Sequence, residues 1–323
     1  MSSIDLSSVY KGVVALSANF PKKLIQSTVF TRCIVKFYLG IVISTALLFC
    51  QASAAKSPVW KVSKGDSSVY IGGTIHLLSP SDFPLPDAFQ NSLSKSDNVV
   101  FETDIESVNS PQEQLKFLPI VMYQDGSTIR TRVSADTFSK LEAYSKTSGM
   151  PLAMLERFTP AGLNVTLTVM ELQKLGIVGT SGVESVMSQA AKQSNKPIAW
   201  LESIDQQLEM LAKMNQLDAN KVVNLTLRDI QRLSEDWPKL LQAWRSGNMD
   251  ALEAMAIDKM KNETPILYQF LLVDRNHDWV EQINQMIVTP EVEFIMVGAL
   301  HLAGQDSVLT LLSSQGYTIT QLD

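Results

Sequence analysis

Apolar and polar positions change their period several times along this chain, and each change marks an element. Val59-Trp60-Lys61-Val62 and Ser68-Val69-Tyr70-Ile71 flank the turn composition Lys64-Gly65-Asp66, which predicts a hairpin. A helix is expected over Asp87–Ser94 behind Pro86, then a short apolar strand, Val99–Phe101, running into Glu102-Thr103-Asp104. The middle of the chain is helical by pattern. Ser134-Ala135-Asp136 opens a helix that Gly149 closes; Pro160 starts another carrying Leu163, Leu167, Met170 and Leu175; Gly182 to Gln193 gives a third. Pro197–Leu201 reads as a buried strand ending at Glu202. Ile204 to roughly Ile287 reads as helix, broken at Pro238, at Gly247-Asn248 and near Pro265. The chain finishes as strand, helix, strand: Phe294–Val297, Val308–Ser313 and Tyr317–Leu322.

Strands separated by helical stretches predict an α/β (α+β) domain. The expected form is a central mixed or mostly parallel sheet. A large helical insertion, roughly 105–195 and 204–287, lies between the N-terminal and C-terminal strands.

The first 54 residues read differently. Phe37 to Phe49 is a short apolar run behind Arg32 and Lys36, followed by the small-x-small pattern Ala52-Ser53-Ala54. The run is too short for a spanning helix of about 20 residues, so residues 1–54 are expected to be a signal peptide and leader, cleaved near Ala54. Residues 55–323 then form a single domain. The export product would be periplasmic or secreted, without a stable membrane anchor. Both cysteines, Cys33 and Cys50, fall in the leader. The remaining chain has no thiol for a disulfide, a metal or a nucleophile, so any metal must be held by imidazole and carboxylate. Removing the leader's five bases and one acid from the chain's 27 and 33 leaves 22 bases against 32 acids. An acidic protein without a basic run is a poor partner for nucleic acid.

Candidate chemistry starts from the three histidines. His76 and His301 share one frame, an apolar strand, then Gly-x-x-His, then Leu: Gly73-Thr74-Ile75-His76 and Gly298-Ala299-Leu300-His301. Glu102 and Glu202 also follow predicted strands. Catalytic groups in α/β sheets gather beyond the carboxyl ends of strands, so parallel neighbours would bring all four residues to one rim. Two imidazoles and a carboxylate can hold a divalent metal and leave a position open for water, with the fourth residue as general base. Arg275, within a helical pattern, is a candidate to bind a substrate carboxylate or stabilise an oxyanion. His277 with Glu281 has the i, i+4 spacing of a second ligand pair, and also that of a solvated helix face. There is no H-E-x-x-H, G-x-S-x-G, Walker A or G-x-G-x-x-G motif. Nucleotide cofactors are therefore unsupported.

Several of these stretches together resemble the TraB/GumN family, related to the Tiki metalloproteases and more distantly to the ChaN and erythromycin-esterase group. They are Gly72-Gly73-Thr74-Ile75-His76-Leu77, Val100–Asp104, Gly182-Val183-Glu184, Lys196-Pro197-Ile198, Leu201-Glu202-Ser203, Arg275-Asn276, Val297–Gly304 and Gly316-Tyr317. Many relatives carry Asp where Glu184 stands. The Tiki likeness implies a metal-dependent peptidase, with Mn, Co or Zn held by His76, His301 and Glu102. It makes Glu202 a candidate base and Arg275 a candidate stabiliser of developing charge. The erythromycin-esterase likeness implies instead a metal-independent hydrolase with a histidine base. The TraB likeness leaves open simple capture of a peptide or small molecule in the same cleft.

Overall fold

A computed structural model describes residues 56–104, 106–177 and 182–323. The expected leader, its cleavage point and both cysteines lie outside the described residues. Among the described residues no helix is long and apolar enough to cross a membrane.

Six strands form one mixed sheet: β1 (Val59–Lys64), β2 (Ser67–Thr74), β3 (Asn98–Phe101), β4 (Ile198–Trp200), β5 (Glu293–Gly298) and β6 (Thr318–Gln321). Their spatial order is β4-β3-β5-β2-β1-β6. The hairpin β1–β2 is antiparallel with Trp60 opposite Ile71, and β6 adds antiparallel to β1. Strands β2, β5, β3 and β4 run parallel: β2 on β5, β5 on β3 and β3 on β4. This is the α/β architecture expected, with the parallel half assembled from strands far apart in sequence.

Each strand alternates between two cores, as a period of two requires. Val99, Phe101, Phe294 and Met296 face one side, packed on Phe89, Met187 and Trp244. Val100, Ile71, Ile295 and Val297 face the other, packed on Trp279, Ile283 and Leu312. Helices α1 (Asp87–Lys95) and α5 (Val183–Gln193) serve the first core. Helices α8 (Asp274–Met286) and α9 (Val308–Ser314) serve the second. The inserted helices α2 (Pro111–Val121), α3 (Ala135–Ser148), α4 (Pro160–Lys174) and α6 (Ile204–Met214) lie between these. A third core joins α3 and α4 to the front half of α7 (Ala219–Arg245) through Phe138, Leu141, Leu163, Leu167, Val223 and Leu227.

Two expectations are corrected. Helix α7 runs unbroken through Pro238. Proline removes one backbone bond and crowds the preceding turn, but Pro238 is exposed, so the freed carbonyl meets water. Packing pins both ends of the helix, at Leu227 and at Trp244. Strand β4 is at the sheet edge rather than buried: Ala199 is exposed and Trp200 is 47% exposed.

Candidate functional site

The register of the parallel strands decides what meets at their carboxyl ends. Thr74 of β2 is opposite Gly298 of β5, and Phe101 of β3 is opposite both Met296 and Trp200. The ladder continues past the last strand residues, Glu202 N–H donating to Glu102 O at 2.8 Å. His76, Glu102, Glu202 and His301 therefore leave the sheet at the same rim, and α8 lays Arg275 across it.

Arg275 is the hub. Its Nε donates to Glu202 Oε1 at 2.8 Å, and its Nη2 to Glu102 Oε2 at 2.8 Å and Glu202 Oε2 at 3.0 Å. Its Nη1 donates to Leu271 O at 3.1 Å and to His301 Nε2 at 3.0 Å. A guanidinium has five N–H donors, and all five are used. The ring of Trp279 lies 4.5 Å from the guanidinium, and its Nε1 donates to Glu202 Oε1 at 2.9 Å. Just before Arg275 the helix widens into a π turn, Gln269–Val273, in which Asp274 N–H reaches back five residues to Gln269 O. Such turns recur at functional sites.

The imidazole of His301 is 4% exposed and lies 4.3 Å from the Trp279 ring. Asn276 fixes its tautomer. The Asn276 Nδ2 donates to Asp306 O at 2.7 Å, so Oδ1 faces His301 Nδ1 at 2.6 Å and accepts its proton. Nε2 is left with a lone pair, which accepts from Arg275. Burial and the Arg275 charge push this imidazole down to about 3, against the pull of Glu102. Glu102, 8% exposed, would be raised by burial. The His301 ring, charged once the pH falls that low, then the Arg275 cation, the His76 imidazolium and the Gly298 N–H outweigh burial and hold it at about 2.

His76 is built differently. Its side chain is 59% exposed, and Nδ1 lies 2.7 Å from Oε1 of the buried Glu184. Thr74 Oγ1 donates to the same oxygen. Glu184 raises the imidazole to about 9 against the cost of burying part of the ring, and the Glu102 and Arg275 charges also reach it. Gly182 places Glu184 here: a Cβ at this position would lie 2.1 Å from His76 O. The close approach lets Val183 N–H donate to Ile75 O at 3.0 Å, which seats the first turn of α5 against the Gly-x-x-His loop.

The structure thus brings Glu102, Glu202, Arg275 and His301 into one hydrogen-bonded cluster, with His76 at its solvent-facing margin. In this arrangement the groups expected to fill two roles are engaged with each other. Arg275 has no donor left for a substrate oxyanion. Glu202 accepts from Arg275 and Trp279, with Gln207 at 3.3 Å, which leaves it poorly placed as a base. His277 and Glu281 are both exposed and form the solvated helix face. Glu184, Asn276 and Thr74 were given no role from sequence. The only signals were Gly182-Val183-Glu184 at a helix start and Asn276 beside Arg275.

The metal set expected from the resemblance, His76, His301 and Glu102, does not fit this arrangement. His301 Nε2 and Glu102 Oε1 are 4.0 Å apart, close enough to share an ion. Yet the lone pairs that would face that ion already accept from Arg275 and Gly298. Among the described residues no three His, Cys, Asp or Glu side chains are disposed to hold a metal. The guanidinium takes the cation's place between the carboxylates and the imidazole.

Comparison with known proteins agrees with the sequence resemblance. The model of the TraB/PrgY/gumN family matches residues 58–321. The uncharacterized protein YbaP of Escherichia coli K12 is 25% identical over 249 residues, which is 77% of this chain and 89% of YbaP. YbaP of Shigella flexneri matches at the same identity and coverage. This chain belongs to the TraB/PrgY/gumN family.

Proposed function

We propose that this chain is an exported, metal-independent hydrolase of acyl substrates, peptide or small-molecule, in which His76 is the residue that meets substrate. The observation that carries the reading is the His76–Glu184 pair. A buried carboxylate, itself fixed by Thr74, holds Nδ1 of an exposed imidazole and turns Nε2 outward. That is the disposition of a general base oriented by an acid. In the neutral form of His76, the minor form below about pH 9, Nε2 takes a proton from water as the water oxygen attacks the acyl carbon, Glu184 stabilises the imidazolium, and the proton passes on to the leaving group. The Arg275 cluster acts as a rigid platform that keeps Glu102 ionised and holds both Glu102 and Glu202 paired beneath the reacting edge. His301, neutral and saturated, belongs to the platform.

Export rests on the leader read in residues 1–54 and is tested by recovering the protein from the periplasm with Ala55 at its N-terminus. The activity is tested with a panel of peptide, amide and ester substrates. Turnover should survive chelators and fall by about 10²–10⁴-fold in His76→Ala. A metal-dependent version of the same hydrolysis has one observation in its favour: both imidazoles are held at Nδ1 by an oxygen, as metal-ligating histidines are. It requires Arg275 to withdraw, and it predicts that chelation abolishes turnover.

A further inference from the structure

Glu184 holds the imidazole of His76, but the main chain around it needs its own anchors, because His76 stands where strand β2 becomes a loop. On the strand side the ladder is one hydrogen bond short. Gly73 N–H donates to Pro58 O at 2.7 Å. In such an antiparallel pair the partner returns its own N–H, and proline has none. Gly73 O therefore lacks its ladder donor. The indole of Trp244 supplies one, its Nε1 donating to Gly73 O at 2.8 Å. Trp244 is fully buried, so water does not compete for the bond.

On the loop side the same helix, α7, acts one residue later. Among the described residues, residues 77–85 are tied to the rest of the fold by two hydrogen bonds, both from Arg245. Its Nη1 donates to Asp82 O at 2.7 Å and its Nη2 to Pro84 O at 2.6 Å. The loop's other hydrogen bonds are internal and centre on Ser79. A planar guanidinium, with its donors in a fixed fork, suits two neighbouring carbonyls. Arg245 is exposed, so its bonds compete with water and add little to global stability. What they fix is the path of the chain just after His76. The end of α7 is itself seated: at Gly247, φ +60°, a Cβ would lie 2.2 Å from Ser57 O.

We propose that Trp244 and Arg245 are positioning residues for His76. Trp244 completes the strand that leads into it, and Arg245 anchors the loop that leads away. The ring thereby keeps its contact with Glu184, and its outward edge stays in one place. The assignment rests on the role given to His76 for its purpose; the clamp itself rests on these bonds.

The test reads His76 apart from turnover. Arg245→Met keeps the aliphatic stem and removes the fork. Trp244→Phe keeps a ring beside Phe89 and removes the N–H. Arg232→Met, at an exposed position of the same helix, removes a charge that is paired with Asp236 instead. In ¹⁵N NMR the parent His76 titration, which Glu184 raises to about 9, should move toward the ordinary imidazole value in Arg245→Met and Trp244→Phe. It should stay in place in Arg232→Met. On the best substrate of the panel, kcat should fall about tenfold in Arg245→Met with KM within about twofold. Arg245→Lys, which keeps donors for the carbonyls, should recover part of the loss, and the urea midpoint of Arg245→Met should match the parent's. A His76 titration unchanged in both Arg245→Met and Trp244→Phe overturns the clamp, whatever the turnover. A lowered urea midpoint with the His76 signal in place makes the contacts structural only and overturns it as well. A displaced His76 signal in a protein that turns over no substrate upholds the clamp and sinks the hydrolase reading. Turnover lost in His76→Ala yet untouched in both clamp variants overturns the clamp and leaves hydrolysis standing.

Discussion

Replacing Arg275 by Met keeps the length and the packing on Trp279 and removes the charge and all five donors. Glu102 and Glu202 are then left on a buried rim without their counter-ion, and His301 Nε2 loses its donor. Breaking one partner out of a buried ion pair costs about 3–5 kcal/mol, and two carboxylates depend on this one, so the upper end is expected. The sign with pH follows from Glu102. In the parent its folded value, about 2, is below its unfolded one, so its contribution is present above roughly pH 4.5 and lost as pH falls toward 2. In the variant burial prevails, the folded value rises above the unfolded one, and stability is lost as pH rises. The gap between parent and variant therefore widens from pH 5 to pH 7.5, by up to about 1.4 kcal/mol per pH unit as Glu102 must shed its proton. Urea unfolding at the two pH values reads it directly. Arg275→Lys should not rescue, because an ammonium cannot reproduce the fork. A loss below about 1 kcal/mol, or one equal at both pH values, would refute the hub.

Other perturbations read other parts of the account. Gly182→Ala drives a methyl into the His76 carbonyl and should cost about 1–3 kcal/mol in thermal or urea unfolding; an unchanged midpoint would contradict the close approach. If neutral His76 is the base, kcat/KM should rise with pH through a single ionisation that Glu184 lifts to about 9. In Glu184→Gln that inflection should move to lower pH, with a lower plateau; a profile that stays in place would remove Glu184 from the mechanism. Asn276→Leu takes away the acceptor at His301 Nδ1 and leaves a buried N–H unmatched, at about 1–3 kcal/mol. Asn276→Asp keeps that acceptor but sets a carboxylate oxygen against Asp306 O, where Nδ2 donates, so it should not restore the stability.

Much of this was legible from pattern. Strand-period runs at Val59–Ile71, Val99–Phe101 and Phe294–Val297 become the sheet, and the repeated Gly-x-x-His frame follows the carboxyl ends of two paired parallel strands. What sequence could not carry is pairing. Nothing local says that the chain segments ending at Glu102 and Glu202 lie side by side, or that five N–H groups of Arg275 are spent on neighbours distant in sequence. A glutamate in the first turn of a helix reads as a partner for the helix dipole. Only the approach of Gly182 to the His76 backbone turns Glu184 into that histidine's carboxylate. Pro238 misled because a local rule for helix ends was overridden by cores at both ends of α7. Trp200 misled because a strand of three apolar residues looks alike whether buried or at an edge.

Histidine NMR is the most direct test, because the chain has only three imidazoles to resolve. Tautomer-sensitive ¹⁵N spectra from pH 5 to 9, assigned with His76→Ala and His301→Asn, should show His301 neutral and protonated on Nδ1 throughout. The His76 signal should titrate well above the usual imidazole range. One equivalent of Zn²⁺ should leave His301 unmoved. A His301 that titrates near the ordinary imidazole value, carries its proton on Nε2, or shifts together with His76 on adding zinc would contradict the account and return this rim to metal chemistry.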